Sequence, residues 1–253
     1  MLAFIAILCA LLLAVIAAPT DVASLDRRAT VIADGNSVRN GNLPDWGFNY
    51  HASGYVAKGC PTGTKITTCY ESRLSSNPTK NIENIGGRKI QSNLFYSSPK
   101  PADGRIREYT FKMKVDASFT STSDKPHTLV GVETQDLNNN KKRMISTYVA
   151  IRNGEVGIYT YANPDTPLIS TPMGNFIGKR ALCTWKVNSD SSKGWVDITI
   201  VNDEDSSNIL SYTVSDGMTW GNYRMRVGTT REAVAAMSQL RIFWGSWSGK
   251  YIM

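Results

Sequence analysis

The sequence has few of the residues that most often build metal centres. Of its 253 residues, only four are cysteine and two are histidine. Cys9 lies in an apolar N-terminal run, and the remaining Cys60, Cys69 and Cys183 are too widely separated for a zinc site. We therefore expect no metal and no cofactor.

Long hydrophobic runs are also scarce, since the only one is MLAFIAILCALLLAVIAAP at the N-terminus. Its length and its small-residue end predict a secretory signal over residues 1–18. A membrane anchor is the alternative, because the run approaches the lower limit for a spanning helix. Residues 19–28 end in a dibasic Arg27-Arg28 pair, typical of processing in a fungal or similar secretory route. We therefore expect a secreted, extracellular, monomeric domain over residues 29–253, with no membrane attachment after the signal is removed.

Positive charge is in excess but is not clustered. The chain has 28 Lys and Arg against 21 Asp and Glu, a net charge of +7. No Lys/Arg run of the kind found in nucleic-acid-binding arms is present, so we expect no nucleic-acid partner. A basic protein outside the cell fits an acidic polysaccharide better.

An odd number of cysteines follows the predicted signal. Cys60 and Cys69 flank PTGTKITT, a turn with a short strand, which favours a local disulfide between them. Cys183 would then be a buried free thiol. A Cys69–Cys183 pairing stays open, because sequence spacing alone does not decide connectivity.

Helical periodicity is nearly absent, whereas alternation of apolar and polar residues is frequent. In REYTFKMKVDASF, for example, Tyr109, Phe111, Met113 and Val115 alternate with polar residues. The same strand pattern occurs in HTLVGVET, RMISTYVAIR, EVGIYTYA, ALCTWKV, GWVDITIV, NILSYTV and LRIFWGSW. Only TREAVAAMSQ indicates a helical turn, and residues 40–63 are expected to supply an edge strand and loops. We predict one all-β domain, a β-sandwich or jelly roll with little helix.

One late segment, NYRMRVGTTR, places arginines on the face of a strand that is not core. Tyr223, Met225 and Val227 alternate with Arg224 and Arg226. Solvation alone could explain a basic exposed face. An anionic glycan lying across it is the functional interpretation, and it suits arginine better than a neutral glycan does.

The order of segments from about residue 107 to residue 249 resembles the back half of concanavalin-A-like jelly-roll polysaccharide lyases, which include alginate and glucuronan lyases. The resemblance is carried by FIGKRALCTWKVNSDSSKGWVDITIV, then WGNYRMRVGTTR, then LRIFWGSWSG. It implies a jelly roll that cleaves uronate polymers by β-elimination. Such an enzyme neutralises the substrate carboxylate, removes the C5 proton and protonates the leaving oxygen.

The resemblance implies roles for particular residues. CYESR supplies Glu71 and Arg73 for substrate binding, and VETQDL supplies Gln135 for the carboxylate. RMRVGTT supplies Arg226 in place of a lysine, with Arg224 beside it, and has Thr230 where a catalytic tyrosine is expected.

Other side chains are therefore candidates for proton transfer. We expect His127 and Tyr148 to serve, with His51, Tyr159 and Tyr161 as further candidates. Each has a structural alternative, because a loop histidine is usually a surface residue and a sandwich tyrosine usually packs.

Two tryptophans receive opposite predictions from strand parity. Trp195 alternates with Val196, Ile198 and Ile200, so we expect it to face outward and to contact sugar rings. Trp244 shares parity with Leu240 and Ile242 and is predicted to be core.

Two functions remain open on this scaffold. The first is a lyase for an acidic, uronate-containing polysaccharide, and the second is a carbohydrate-binding protein without catalysis. A glycoside hydrolase would need two carboxylates facing across a groove. No E-x-D-x-x-E-like strand is present in the sequence, which ranks this function last.

Overall fold

The computed structural model describes residues 29–121, 123–135, 143–190, 193–215, 221–234 and 238–252, without the side chains of Gln135 and Arg143. The predicted signal and pro-segment lie outside the described residues. Seventeen strands are found in these ranges: β1 (Thr30–Asp34), β2 (Arg39–Leu43), β3 (Phe48–Ala52), β4 (Tyr55–Lys58), β5 (Tyr70–Leu74), β6 (Glu83–Ile85), β7 (Arg88–Tyr96), β8 (Ile106–Val115), β9 (His127–Gln135), β10 (Arg143–Arg152), β11 (Glu155–Thr160), β12 (Ile169–Pro172), β13 (Arg180–Asn188), β14 (Trp195–Asn202), β15 (Asn208–Val214), β16 (Tyr223–Glu232) and β17 (Leu240–Ile252).

The strands form two antiparallel sheets. Sheet A has the order β1-β4-β5-β17-β8-β13-β14-β15. Sheet B has the order β12-β11-β10-β9-β16-β7-β3-β2, with β6 paired to β7 outside this path. The predicted all-β jelly-roll class is confirmed. Each sheet combines early and late strands, so sequence neighbours often lie in opposite sheets.

The core lies between the sheets and follows directly from the alternation of side chains. In β13, Ala181, Cys183, Trp185 and Val187 are all buried, while the residues between them are half-buried on the other face. Sheet B contributes Phe95, Met225 and Val227 among others to the same cluster. Burying these apolar faces against each other is the main favourable term that holds the two sheets together.

The first third of the chain is more regular than its composition suggests. Residues 40–63 were expected to supply an edge strand and loops, but they contribute most of β2 and all of β3 and β4. β2 and β3 belong to sheet B, whereas β4 belongs to sheet A. The Gly and Asn residues that weakened the strand signal lie mainly in the turns and on exposed positions.

Helix is confined to two short 3₁₀ turns in the described ranges, Thr62–Thr64 and Met173–Asn175. The predicted helical turn in TREAVAAMSQ is wrong at its start, because Thr230–Glu232 ends strand β16, and residues 235–237 lie outside the described ranges. In the part of the chain that the structure describes, no helix has the length and apolarity needed to cross a membrane.

The cysteine prediction is confirmed. Cys60 and Cys69 form a disulfide with a Cα–Cα distance of 5.7 Å. Cys183 is a free thiol and is fully buried in the core, which rules out the alternative Cys69–Cys183 pairing. Burial raises the pKa of the Cys183 thiol far above its usual range, so this thiol stays protonated and unreactive.

Candidate functional site

The outer face of sheet B carries a groove with a cavity volume of about 610 Å³. It lies over the side of the sheet where β16, β7, β3 and β2 are neighbours. The lining residues that bear on chemistry are His51, Glu83, Tyr96, Arg224, Arg226 and Thr230.

Strand β16 delivers both arginines to this groove through simple alternation. Tyr223, Met225 and Val227 are buried in the core, while Arg224 and Arg226 are half-buried on the opposite face. The prediction that these arginines lie on the non-core face is confirmed, and that face is concave here rather than open surface.

A glycine lies at an irregularity in strand β16. Gly228 has a φ of +116°, and a Cβ at this position would lie 2.1 Å from the carbonyl oxygen of Asn93. Pairing with β9 changes register between Val227 and Thr230. This bulge brings Thr230 within reach of Arg226, whose Nη2 donates to the Thr230 hydroxyl at 2.5 Å.

Arg224 is held by two neighbours. Its Nη2 donates to Oε1 of Glu133 at 2.8 Å, on the adjacent strand β9. Its guanidinium carbon lies 4.0 Å from the centre of the Tyr96 ring on β7, which is a cation–π contact. Arg224 therefore orients Tyr96 as well as contributing charge.

Arg226 differs from Arg224 in its electrostatic environment. It makes no ion pair with any residue that the structure describes, and its Nε has no hydrogen-bond partner there. Loss of water contact lowers the pKa of Arg226 from its usual range, with Tyr96 and Glu133 opposing this shift. Because arginine remains protonated in proteins, Arg226 is a cation in the groove that forms no ion pair with a described residue.

Tyr96 stands directly beside this cation, because its Cα is the cross-strand partner of Arg226. Burial raises the pKa of the Tyr96 hydroxyl, and the positive charge of Arg226 opposes that rise. Among the described residues the hydroxyl makes no hydrogen bond, so it is available to a ligand.

His51 on β3 forms the other side of the groove. Its Nε2 lies 2.6 Å from Oε2 of Glu83, and its Nδ1 lies 2.7 Å from Oδ1 of Asn40. Oε1 of Glu83 accepts a hydrogen bond from the Ser92 hydroxyl at 2.6 Å. With its carboxylate fixed in this way, Glu83 holds the orientation of the imidazole.

Glu83 reaches His51 because of the short β6–β7 hairpin. Ile85 and Arg88 pair across a two-residue turn, Gly86-Gly87, with φ values of +57° and +77°. Positive φ at both central positions is the requirement of a type I′ turn, which glycine meets without strain.

His51 and Tyr96 are diagonal neighbours on this face. The Cα partner of His51 is Leu94, two residues before Tyr96 on β7. Diagonal pairs of this kind lie roughly 7–8 Å apart, within reach of aromatic and long side chains. The groove therefore combines a free arginine, a tyrosine hydroxyl and a carboxylate-bound histidine.

Glu71 and Arg73 are not part of this groove. They lie on β5 in sheet A and face away from the core, on the side of the sandwich opposite Arg224 and Arg226. The resemblance assigns Glu71 and Arg73 to substrate binding, but neither residue lines the groove that contains Arg224 and Arg226.

The two β5 residues instead form a local ion-pair cluster. Glu71 accepts hydrogen bonds from Arg73 and from Arg241. Burial would raise the pKa of Glu71, but these two guanidinium groups lower it overall. Glu71 and Arg73 therefore pair with one another on β5.

The two tryptophan predictions hold for side-chain direction. Trp244 is fully buried, and Trp195 is half-buried with its neighbour Val196 in the core. Trp195 nevertheless lies on sheet A, so the structure does not bring it together with Arg224 and Arg226.

Tyr148 shares the outer face of sheet B with the groove but does not line it. Its ring stacks on Tyr159 at 5.5 Å, and its hydroxyl donates to the Pro164 carbonyl oxygen at 3.4 Å. Burial raises the pKa of both tyrosines. Tyr148 therefore acts as a packing residue beside the groove, and Tyr161 is exposed outside it.

His127 is buried, so it is not placed to act on a substrate. Its ring packs against Phe119 at 5.4 Å, and Nε2 lies 3.4 Å from the Ser121 hydroxyl. Burial, helped by the charge of Arg231, lowers the pKa of His127 to about 3. The side chain is 1% exposed, so a polysaccharide does not reach it.

Gln135 is the last residue of β9 and pairs with Arg143 of β10, two residues beyond Glu133. Its side chain lies outside the described part of the structure, so its role stays a prediction. Across the described residues, no three His, Cys, Asp or Glu side chains cluster in a way that could hold a metal ion.

Two residues of the groove, Tyr96 and Glu83, were not singled out in the sequence. Strand alternation in RKIQSNLFY could have placed Tyr96 opposite the core residue Phe95. Gln91 and Asn93 obscured this pattern, because they are polar and yet fully buried. Gln91 donates to the backbone carbonyl of Lys80 in a loop, and Asn93 donates to the backbone carbonyl of Arg73 on β5.

The chain was compared with protein-family models, curated proteins and solved structures. No protein-family model and no curated protein matches the sequence. The chain is similar to an endo-β-1,4-glucuronan lyase from Trichoderma reesei, with a TM-score of 0.56 and 11% identity over 85% of this chain and 94% of that one. It is also similar to the catalytic domain of a GH131 β-glucanase from Podospora anserina, with a TM-score of 0.50 and 7% identity over 85% and 83%. An alginate lyase from Pseudomonas aeruginosa matches more loosely, with a TM-score of 0.45 and 8% identity over 68% and 86%. The first two similarities and the two antiparallel sheets show the jelly-roll fold that the resemblance to polysaccharide lyases implies.

Proposed function

We propose that the protein is a secreted polysaccharide lyase that cleaves a uronate-containing acidic polysaccharide by β-elimination in the groove of sheet B. The observation that carries this proposal is Arg226, a half-buried cation without an acidic partner among the described residues, beside the Tyr96 hydroxyl and across from His51.

The first step is capture of the uronate carboxylate. A guanidinium can donate two parallel hydrogen bonds to a carboxylate, and the unpartnered Nε of Arg226 is part of that donor set. Arg224 is less available, because Glu133 already neutralises it. Binding the carboxylate makes the neighbouring C5 proton more acidic, since the negative charge that develops beside it is stabilised.

The second step is proton transfer. The Nε2–H group of His51 donates a hydrogen bond to Glu83, which leaves Nδ1 unprotonated and able to take the C5 proton once substrate displaces the exposed Asn40. The C5–H electron pair becomes the C4–C5 double bond as the C4–O bond breaks. The Tyr96 hydroxyl donates its proton to the leaving oxygen.

Gln135 completes the proposed site as a second group on the carboxylate. It lies on the strand next to β16, two residues beyond the ion pair that Glu133 makes with Arg224. The support for this role is the resemblance of VETQDL to the family strand.

We further propose that the protein works outside the cell as a monomer without cofactors. The Cys60–Cys69 disulfide supports an oxidising compartment, because such bonds are rare where thiols are kept reduced. The apolar run at residues 1–18 supports export.

A carbohydrate-binding protein without catalysis is the second candidate. It is favoured by one observation, namely that both ring nitrogens of His51 are engaged by Asn40 and Glu83. If substrate does not displace Asn40, the groove binds the anionic chain and no proton moves.

Ultraviolet absorbance of unsaturated uronates separates the two. The protein is incubated with glucuronan, alginate and pectin, and the C4–C5 double bond is followed over time. A rise in absorbance with one of these polymers is expected for a lyase. Tight binding without any rise identifies the binding protein, and reducing ends without the double bond would identify a hydrolase.

A further inference from the structure

A second cavity, of about 310 Å³, opens at one end of the sandwich. Two of its sides are formed by the start of β8 and the last part of β17. The turn before β3 and the segment after β7 form the others. None of its lining residues lines the groove of sheet B, so the two are separate sites.

One wall of this end cavity is aromatic. Trp46 and Trp247 are half-buried and stack with their ring centres 6.2 Å apart at 28°. Trp247 also stacks on Phe111 at 5.3 Å and contacts the edge of Phe48 at 4.5 Å. An indole offers a flat apolar surface on which the C–H face of a sugar ring can stack.

The other wall is cationic and is built around Arg107, whose side chain is only 3% exposed. Its Nη2 donates to Oδ2 of Asp103 at 2.9 Å and to the Tyr251 hydroxyl at 2.5 Å. Its Nη1 lies 3.4 Å from the Tyr223 hydroxyl, and its Nε has no partner among the described residues. A buried cation is costly unless its charge is compensated.

The compensation inside the cluster is incomplete. Asp103 is shared between Arg105 and Arg107, so one carboxylate faces two guanidinium groups. Lys100 also lines the cavity and makes no ion pair in the described part of the chain. The one acidic residue on the lining, Asp45, already binds Lys58 and the Tyr70 hydroxyl.

We propose that this end cavity binds a single uronate unit, with its carboxylate toward Arg107 and Lys100 and its ring against Trp247. The choice of a uronate rests on the proposed function, whereas the anionic and ring-shaped character of the ligand rests on the cavity itself. A volume of about 310 Å³ is at the lower end of the roughly 300–1,000 Å³ range of small-ligand sites, which suits one sugar ring.

Two sources can supply this chemistry. One is a free uronic acid, which would make the cavity a site for a released product. The other is the end of a uronate chain, which would hold the polymer at a second point. Tethering at two points raises the effective concentration of the chain at the groove.

The test uses the Arg226→Ala variant as background, so that anion binding by the groove is weakened. Glucuronic acid, glucose and a short glucuronan oligomer are titrated, and binding is followed by calorimetry and by tryptophan fluorescence. We expect glucuronic acid to bind at least tenfold more tightly than glucose. Two added substitutions should each weaken the binding of glucuronic acid at least tenfold. They are Ser248→Tyr, which fills the cavity from an exposed position, and Lys100→Met.

The outcomes separate this proposal from the function of the groove. Absence of glucuronate binding in the Arg226→Ala background, or binding that neither added substitution weakens, overturns the end-cavity site. Equal affinity for the free acid and the oligomer assigns the site to free uronate, and tighter oligomer binding that Ser248→Tyr removes assigns it to chain ends. Lyase activity or oligomer binding by Ser248→Tyr with Arg226 intact reports on the groove alone.

Discussion

The guanidinium carbon of Arg224 lies 4.0 Å from the centre of the Tyr96 ring. This contact fixes the ring of a tyrosine whose hydroxyl points to no protein partner among the described residues. Tyr96 comes from β7, whereas the arginines come from β16, so the site is assembled from strands about 130 residues apart in the chain. The cation–π contact restricts the ring before any substrate arrives, which favours proton transfer over mere binding.

Changing Tyr96 to Phe should lower kcat by about 10²–10⁴, the usual contribution of a positioned acid or base. KM should change little, since the ring and its contact with Arg224 remain. Steady-state kinetics on the best uronate polymer measures both constants. The matched control is Tyr161→Phe, at an exposed tyrosine outside the groove, and equal losses in the two variants would remove Tyr96 from the mechanism.

Changing Gln135 to Ala should abolish elimination while leaving part of the binding intact. The reason is that its interaction with the carboxylate is expected to strengthen in the transition state. Turnover and polymer affinity are measured on the same preparation, with the exposed Gln239→Ala as control. An effect of Gln135→Ala on affinity alone supports the binding protein instead.

Stability should fall as pH drops below about 6.5, because His127 is buried in its neutral form. The unfolded chain takes up a proton near the usual histidine pKa, whereas burial lowers the pKa of His127 to about 3 in the folded state. The unfolded state therefore binds more protons in this window, and the free energy of unfolding decreases by about 1.4 kcal/mol per pH unit. Paired carboxylates such as Asp103, with a pKa lowered to about 2, contribute only below about pH 4.

Urea unfolding at pH 7, 6, 5 and 4 measures this slope. The variant His127→Gln lacks the titrating group, so its free energy of unfolding should be flatter between pH 6.5 and pH 4. A slope that is the same in both proteins would place the titration elsewhere.

The mature chain should begin near Ala29, after removal of the signal and cleavage behind Arg28. It should carry no N-glycan, because the only Asn-x-Thr sequence, Asn77-Pro78-Thr79, is blocked by its proline. N-terminal sequencing and the intact mass of protein from the culture medium check both points. Retention of Met1 would contradict the processing prediction.

The sequence predicted the fold well because most strands of the second half of the chain carry their own alternation. The alternate burial of β13 and β16 is legible within nine or ten residues and needs no knowledge of the partner strands. The disulfide was also predicted from local sequence, because Cys60 and Cys69 are only nine residues apart.

The site could be predicted only in part, because alternation shows that a residue faces outward without showing from which sheet. Arg73 and Arg226 have equivalent local patterns, yet β5 joins sheet A and β16 joins sheet B. The pairing of His51 with Glu83 depends on β3 and β6 both docking on β7, which no local signal encodes. The burial of His127 was missed because the ring packs against Phe119, which comes from the segment before β9.

The central claim is that the groove of sheet B, and not the outer face of sheet A that carries Arg73, binds an anionic glycan. Calorimetry with a uronate oligomer and a neutral glucan oligomer, on the wild type, Arg226→Ala and Arg73→Ala, tests it directly. We expect Arg226→Ala to weaken the binding of the uronate oligomer by about 1.5–3 kcal/mol, the range for a hydrogen bond to a charged group. Arg73→Ala and the neutral oligomer should show almost no change. Weakening by Arg73→Ala with no effect of Arg226→Ala would contradict the claim and move binding to the opposite face of the sandwich.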